Sequence, residues 1–308
     1  MAEYEKIVLV TRKTRLMGLV ERFNTRSQAR FYLEHAGQEF GDYEREDDTY
    51  RRAVSALHEG LALGLPVQQV DRELVPTFLF TGKEVVVAVG QDGLVANVAK
   101  YVGTQPLVGV NPDPERFDGV LLPFGLDKAR GAVRQVLEAR ARFHEVTLAE
   151  VVLSDGQRLL GFNDLFLGAR THVSARYTLR HSSRTESQSS SGIIVSTGAG
   201  SSGWLSSVFT LAQGLTRLTG GEPGDRWKMS WEDARLAFVV REPFISRQSA
   251  AGMVAGFVSA GEELEVESRM PSGGVIFSDG VEEDFLAFNA GTTARVRPAA
   301  QRARLVVH

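Results

Sequence analysis

The 308-residue sequence contains no cysteine. That absence excludes disulfides, thiolate metal sites and a cysteine nucleophile, and it fits a reducing compartment. Long apolar runs are missing as well. No stretch approaches the roughly 20 residues of a membrane-spanning helix, and the short run Ile7 to Val10 is too brief for the core of a secretory signal. Neither sign of charge dominates: 35 Lys and Arg stand against 38 Asp and Glu, a formal net charge of −3, which supplies no general attraction for nucleic acid or an anionic membrane. The chain has no HExxH, no close His pair and no G-x-S-x-G elbow, and its six His are scattered. A cytoplasmic protein is expected, with neither nucleic acid nor membrane as its partner.

What is present is ordinary for a soluble globular chain, with 43% hydrophobic and 24% charged residues, and its length accommodates two cores. The first part alternates strands and helices. Ile7 to Val10 reads as a strand. "TRSQARFYLEHAG" reads as a helix stopped by Gly37, and a second helix runs from about Asp47 to Leu63 with Val54, Leu57 and Leu61 on one face. "VQQV", "EVVVAVG", a helix through "LVANVAKYV" and the strand "PLVGV" follow, which argues for a parallel sheet of Rossmann-like α/β type. After a helix through "ARGAVRQVLEARAR" the signals turn to strands and hairpins, interrupted by one helix over roughly Ser202 to Leu218. The polar run "RHSSRTESQSSS" reads as an exposed loop. The expected division is an α/β domain over 1–142 and a β-rich domain over 143–308.

Three polar clusters stand out. In "VVVAVGQDGL" an apolar strand meets Gly90, Gln91, Asp92 and Gly93, which is either a simple turn or a carboxylate at the ligand-binding edge of a parallel sheet. In "GFNDLFLG", Asn163 and Asp164 sit amid apolar residues, where they need partners; they either cap a turn or meet a ligand. In "SSSGIIVSTGAGSSGW" a strand ends in Ser, Thr and Gly before a helix, which is either a capped helix start or a source of hydroxyls and free N–H groups for phosphate or ribose.

In order and spacing, "GQDG", "GVNPDPERFDG", "GFNDLFLG", "SSGIIVSTGAGSSGW" and "VVREPF" together resemble the motif series of the NAD kinase family, most closely its mitochondrial-type branch, over roughly Ile7 to the C-terminus. The resemblance implies the two-domain fold of that family, with 1–142 as the nucleotide-binding domain and 143–308 as the substrate-binding domain, and transfer of the ATP γ-phosphate, with Mg²⁺, to the 2′-hydroxyl of NAD's adenosine ribose in the cleft between the domains. It makes Asp92 the base. It also puts Gly90, Gln91, Gly93, Asn163, Asp164, Ser191, Ser196, Thr197, Gly198, Gly200, Ser201, Ser202 and Trp204 at the nucleotides, assigns no residue to a metal, and implies a homodimer or larger homo-oligomer. The chain departs from the family at four kinds of position: Gln91 stands where the second Gly of Gly-Gly-Asp-Gly is usual, Leu94 where Thr is, Asp164 where Glu is, and Ser191 and Trp204 where most bacterial members carry Asp and Tyr. Two alternatives accompany this reading, a related kinase of lipid or sugar hydroxyls and a catalytically weakened nucleotide-binding protein.

Overall fold

The computed structural model describes residues 4–225 and 227–308. It forms two compact units, Met1–His144 with Ala303–His308 and Glu145–Arg302. The sequence-based division placed all of 143–308 in one half, whereas the compact units divide after His144 and return the last residues to the first unit.

The first unit contains β1 (Lys6–Thr11), α1 (Arg15–Phe23), α2 (Arg26–His35), α3 (Phe40–Gly60), β2 (Val67–Asp71), β3 (Glu84–Val89), α4 (Asp92–Ala99), β4 (Pro106–Asn111), the short β5 (Phe124–Gly125) and α5 (Leu126–Leu137). All pairings in its sheet are parallel, in the order β4-β3-β1-β2, with β5 beside the end of β4. β3 and β4 are buried along their whole length, which explains their unbroken apolar sequence. One face carries Ile7, Leu9, Val85, Val87 and Val108 against Tyr50 and Leu57 of α3 and Ala129, Val133 and Val136 of α5. A satellite cluster of Leu16, Leu33 and Phe40 joins α1, α2 and the start of α3.

Helix α3 begins at Phe40, not near Asp47. Its first turns are mostly polar, but Phe40 and Tyr43 pack on the Leu16 and Leu33 cluster, and Glu46 and Asp47 are buried in ion pairs. Helix α1 lacked a sequence signal of its own; Thr14 caps it by accepting from the Met17 amide. α5 starts earlier and stops earlier than the apolar spacing indicated, ending before Ala139, which lies at φ +55°.

The second unit is built from β6 (Arg142–Leu153), β7 (Arg158–Gly161), β8 (Asp164–Ala169), β9 (Ala175–His181), β10 (Arg184–Ser190), β11 (Ile193–Ser196), α6 (Trp204–Leu218), β12 (Leu236–Val240), β13 (Ala255–Val258), β14 (Leu264–Ser268), β15 (Gly274–Ser278), β16 (Val281–Ala287) and β17 (Thr293–Val307). One antiparallel sheet has the order β13-β12-β11-β8-β15-β16. A second antiparallel set runs β10-β9-β14-β17, with β6 and β7 paired as a hairpin. The two sets share a core that includes Leu165, Leu167, Tyr177, Leu179, Val195, Phe238, Val266 and Ile276. Period-2 alternation sends Leu165 and Leu167 of β8 into that core and Phe166 to the opposite face, against Trp204. The end of β17 pairs in parallel with the start of β4 through Arg304 and Leu305, which is why the last residues belong to the first unit.

"RHSSRTESQSSS" is not a loop. It supplies the turn after β9 and all of β10, registered from Arg184 opposite His181 to Ser190 opposite Ala175. Ser182 takes the turn at φ +53°. The segment reads as polar because β10 ends the strand order and has one neighbour; only Gln188 and Ser190 are buried, bonded to the Tyr177 hydroxyl.

Gly109 in β4 permits a close approach of the following loop. A Cβ there would stand 2.0 Å from the Leu121 carbonyl oxygen. Gly109→Ala is therefore expected to push this loop off the sheet and lower unfolding stability by at least about 2 kcal/mol, measured by urea denaturation. A change within about 0.5 kcal/mol would mean that the loop yields freely.

Candidate active site

The polar clusters fall into two groups, one in each unit. In the first unit β3 ends at Val89 and the chain turns through Gly90 into α4, whose N-cap is Gln91. A Cβ on Gly90 would lie 3.0 Å from the Leu94 side chain, so the turn is tight at this position. Gln91 is exposed and extended, at φ −119° and ψ 164°, a conformation open to any residue, and its side chain caps nothing. Gly93 faces open space. Asp92 opens the helix with its carboxylate accepting from the Leu121 amide at 2.7 Å and the Val120 amide at 3.3 Å. Each oxygen keeps a lone pair for a further donor.

In the second unit Phe162–Asn163 forms the turn between β7 and β8. Two side chains hold it. Asp279, at the β15–β16 turn, accepts from the amides of Phe162 at 3.0 Å, Asn163 at 2.6 Å and Asp164 at 3.3 Å, while its own amide donates to the Asp164 carbonyl. From the other side the Thr197 hydroxyl donates to the Phe162 carbonyl at 2.6 Å, and the Thr197 amide donates to the Asn163 carbonyl at 2.9 Å. Asp279 is not among the site residues that the sequence singles out. The signal available was the same strand-then-Asp-Gly pattern that marked Asp92.

Asp164 is 6% exposed, and its carboxyl makes no hydrogen bond among the described residues. Burial, reinforced by the charge of Asp279, pushes its pKa up to about 7. The half-buried Asn163 amide also lacks a protein partner among the described residues. A donor and an acceptor are thus displayed on a turn whose backbone is fully committed.

The Ser/Thr/Gly segment is mostly framework. Ser196, Thr197 and Ser201 are buried, and their hydroxyls donate to backbone carbonyls. Gly198 and Gly200 permit close approach: a Cβ would stand 1.7 Å from the Ser230 carbonyl oxygen and 2.0 Å from that of Asn163. Ser202 is exposed, with its hydroxyl 3.4 Å from the Ala199 carbonyl. Trp204 starts α6 and stacks on Phe166, with ring centroids 5.6 Å apart, while the Arg241 guanidinium lies over it at 5.3 Å. Phe166, Trp204, Phe277, Phe285, Arg170 and Arg241 line a cavity of about 530 Å³. Ser191 is exposed beside this region and donates its amide to the Arg241 carbonyl. The second unit thus gathers Asn163, Asp164 and Ser196 to Gly200 around one turn, with Ser191 and Trp204 both adjoining Arg241.

Among the described residues no three His, Cys, Asp or Glu gather to hold a metal ion. No helix of the described residues is long and apolar enough to cross a membrane.

No protein-family model and no curated protein matches the chain. Among solved structures it is similar to a yeast NADH kinase in complex with NADH, with a TM-score of 0.58 and 13% identity over 99% of this chain and 84% of that one. It is also similar to an NAD kinase from Archaeoglobus fulgidus in complex with ATP, with a TM-score of 0.54 and 18% identity over 82% of this chain and 89% of that one. The fold expected from the motif series, an α/β unit followed by a β-rich unit, is the fold of these kinases.

Asp164 provides a test of the second cluster. A raised carboxyl pKa means that the folded state disfavours the ionised form. Stability is unaffected below the unfolded value near pH 3.9, falls as pH rises from there, and levels off above about pH 7. Asp164→Asn removes that loss, so its stability relative to the unmodified protein is expected to rise by about 2–3 kcal/mol between pH 5 and pH 8 in urea denaturation. A difference that does not change with pH would show that Asp164 ionises normally.

Proposed function

We propose that the protein is an NAD(H) kinase, transferring the γ-phosphoryl group of ATP to the 2′-hydroxyl of the adenosine ribose of NAD(H). The reading is carried by one coincidence: the motif series that resembles the NAD kinases lies, in order, on a chain with the fold of two kinases solved with NADH and with ATP. Asp92 takes the proton of the ribose 2′-hydroxyl. The oxygen then attacks the γ-phosphorus, the bond from that phosphorus to the β–γ bridging oxygen breaks, and ADP leaves with the electron pair. The backbone bonds to Leu121 and Val120 hold the carboxylate in one orientation for this step.

Asn163 and Asp164 hold the acceptor nucleoside, Asp164 through its unpartnered carboxyl and Asn163 through its unpartnered amide. Ser196, Thr197, Gly198, Gly200 and Ser201 act by fixing this turn and the start of α6, and Ser202, Gly90, Gln91 and Gly93 offer backbone or exposed groups to phosphate. Trp204 packs beside the acceptor. The neutral Ser191 at the nicotinamide end leaves the oxidised and reduced rings on a similar footing. Mg²⁺ would supply charge neutralisation on the donor phosphates. Gln91 is exposed and in an extended conformation that any residue adopts, so the turn accommodates it without backbone strain, which favours a working enzyme over a weakened binder. A cytoplasmic homodimer or larger homo-oligomer completes the proposal.

The direct assay is formation of NADP(H) from ATP, Mg²⁺ and NAD or NADH. Turnover of a lipid or sugar acceptor in place of the dinucleotide would overturn the reading. Asp92→Asn keeps the shape and sacrifices only the longer bond, to Val120; it is expected to lower kcat by about 10²- to 10⁴-fold with little change in the KM values or melting temperature. An unchanged kcat would remove Asp92 from the chemistry.

A further inference from the structure

Three arginines converge on one buried carboxylate at the C-terminal edge of the first unit's sheet. Arg12 follows β1, Arg15 opens α1, and Arg116 lies on the loop after β4. Arg12 Nη2 is 3.2 Å from Glu46 Oε1, Arg116 Nη1 is 3.6 Å from Oε2, and Arg15 Nε also bonds Oε2. The Glu46 side chain is 4% exposed. Its neighbour Asp47 is already committed to the Thr14 hydroxyl and Arg51. A second carboxylate, Asp113, lies 3.9 Å from Arg116 Nε. Three guanidiniums thus share the single buried carboxylate of Glu46.

The position of Arg12 is set by Tyr50. The Tyr50 hydroxyl accepts from the Arg12 amide at 2.8 Å and donates to the Val89 carbonyl at 3.0 Å, which ties the ends of β1 and β3 together. The Arg12 guanidinium lies over the Tyr50 ring at 5.0 Å and beside Gly90, where a Cβ would stand 3.5 Å from Arg12 Nε. That Nε is buried and has no acceptor among the described residues. Burial of an unpaired guanidinium donor is unfavourable, so the cluster lacks one acceptor next to the Gly90 turn. The first amides of α4 adjoin the same turn, and Gln91 leaves them without a side-chain cap. Arg15 and Arg116 remain 51% and 31% exposed at their side chains, with donors to spare.

We infer that Arg12, Arg15 and Arg116 form the receptor for the polyphosphate chain of the phosphoryl donor. Guanidinium forks match phosphate oxygens in pairs, and the ends of β1, β3 and β4 are where open parallel sheets take ligands. The inference rests on the kinase reading for the donor's role, while the chemistry recognised is a linear polyphosphate, from a nucleoside triphosphate or from an inorganic chain.

Calorimetric titrations with Mg·ATP and, separately, with inorganic tripolyphosphate test it. The exposed pair is replaced first, as Arg15→Gln with Arg116→Gln, because Arg12 is packed on Tyr50 and Arg12→Gln can unfold the turn; thermal melting confirms that the double variant is folded. Binding is expected to weaken by about 10- to 100-fold, with a smaller salt dependence than in the unmodified protein and no change in NAD affinity. Weakening for both ligands identifies the bare chain as the feature read, and weakening for ATP alone identifies a nucleoside triphosphate; both support the inference. Unchanged binding of both ligands in the folded double variant, or no binding of either to the unmodified protein, overturns it. If no dinucleotide is phosphorylated yet polyphosphate binding falls in the variant, the NAD(H) kinase reading fails and this one stands.

Discussion

A carboxylate bound to backbone amides is the interaction on which both candidate clusters depend. Asp92 receives two amides of the loop after β4, and Asp279 receives three from the turn between β7 and β8. In each case irregular backbone is packed against a sheet, where its N–H groups need acceptors. A carboxylate has about four acceptor sites and profits from several donors at once. One side chain thereby fixes a loop that has no ladder of its own. Gly109 and Gly200 complete these arrangements by letting the loops come closer than any side chain would allow.

With the backbone satisfied in this way, the groups left over acquire meaning. Thr197, Ser196 and Ser201 look like ligand-binding hydroxyls in a string of letters, but their protons are spent on carbonyls. Asp164 and Asn163 remain uncommitted on the turn that those hydroxyls stabilise. An unpartnered buried carboxyl costs free energy unless it is neutral or meets a donor, and the rise of Asp164 to about 7 expresses that cost. A ligand hydroxyl would relieve it. The fold thus holds a destabilising feature where a substrate can compensate for it.

The first unit follows a similar logic with the opposite sign. Glu46 gathers three guanidiniums and cannot neutralise them all, and Tyr50 keeps Arg12 against the Gly90 turn although one of its donors goes unused. Buried ion pairs of this kind add little net stability. Their persistence at a strand-end edge is better understood as an arrangement awaiting an anion.

The sequence by itself determined the elements whose signal is local. Unbroken apolar runs marked β3 and β4 because both faces of a parallel strand are covered, short strand-forming runs between turn signals marked most strands of the second unit, and Gly37 marked the end of α2. The motif series marked Asp92, Asn163 and Asp164. Only the tertiary structure decided the rest. β10 carries a loop's composition because an edge strand needs ladder partners rather than an apolar face. The first turns of α3 are held by contacts outside the helix, Phe40 with Leu16 and Leu33 and Glu46 with Arg12 and Arg116, and the grip of Asp279 on the Asn163 turn joins residues separated by more than a third of the sequence. A local pattern records burial and backbone preference. Which donor meets which carboxylate depends on where distant strands bring their turns, and no window of sequence contains that information.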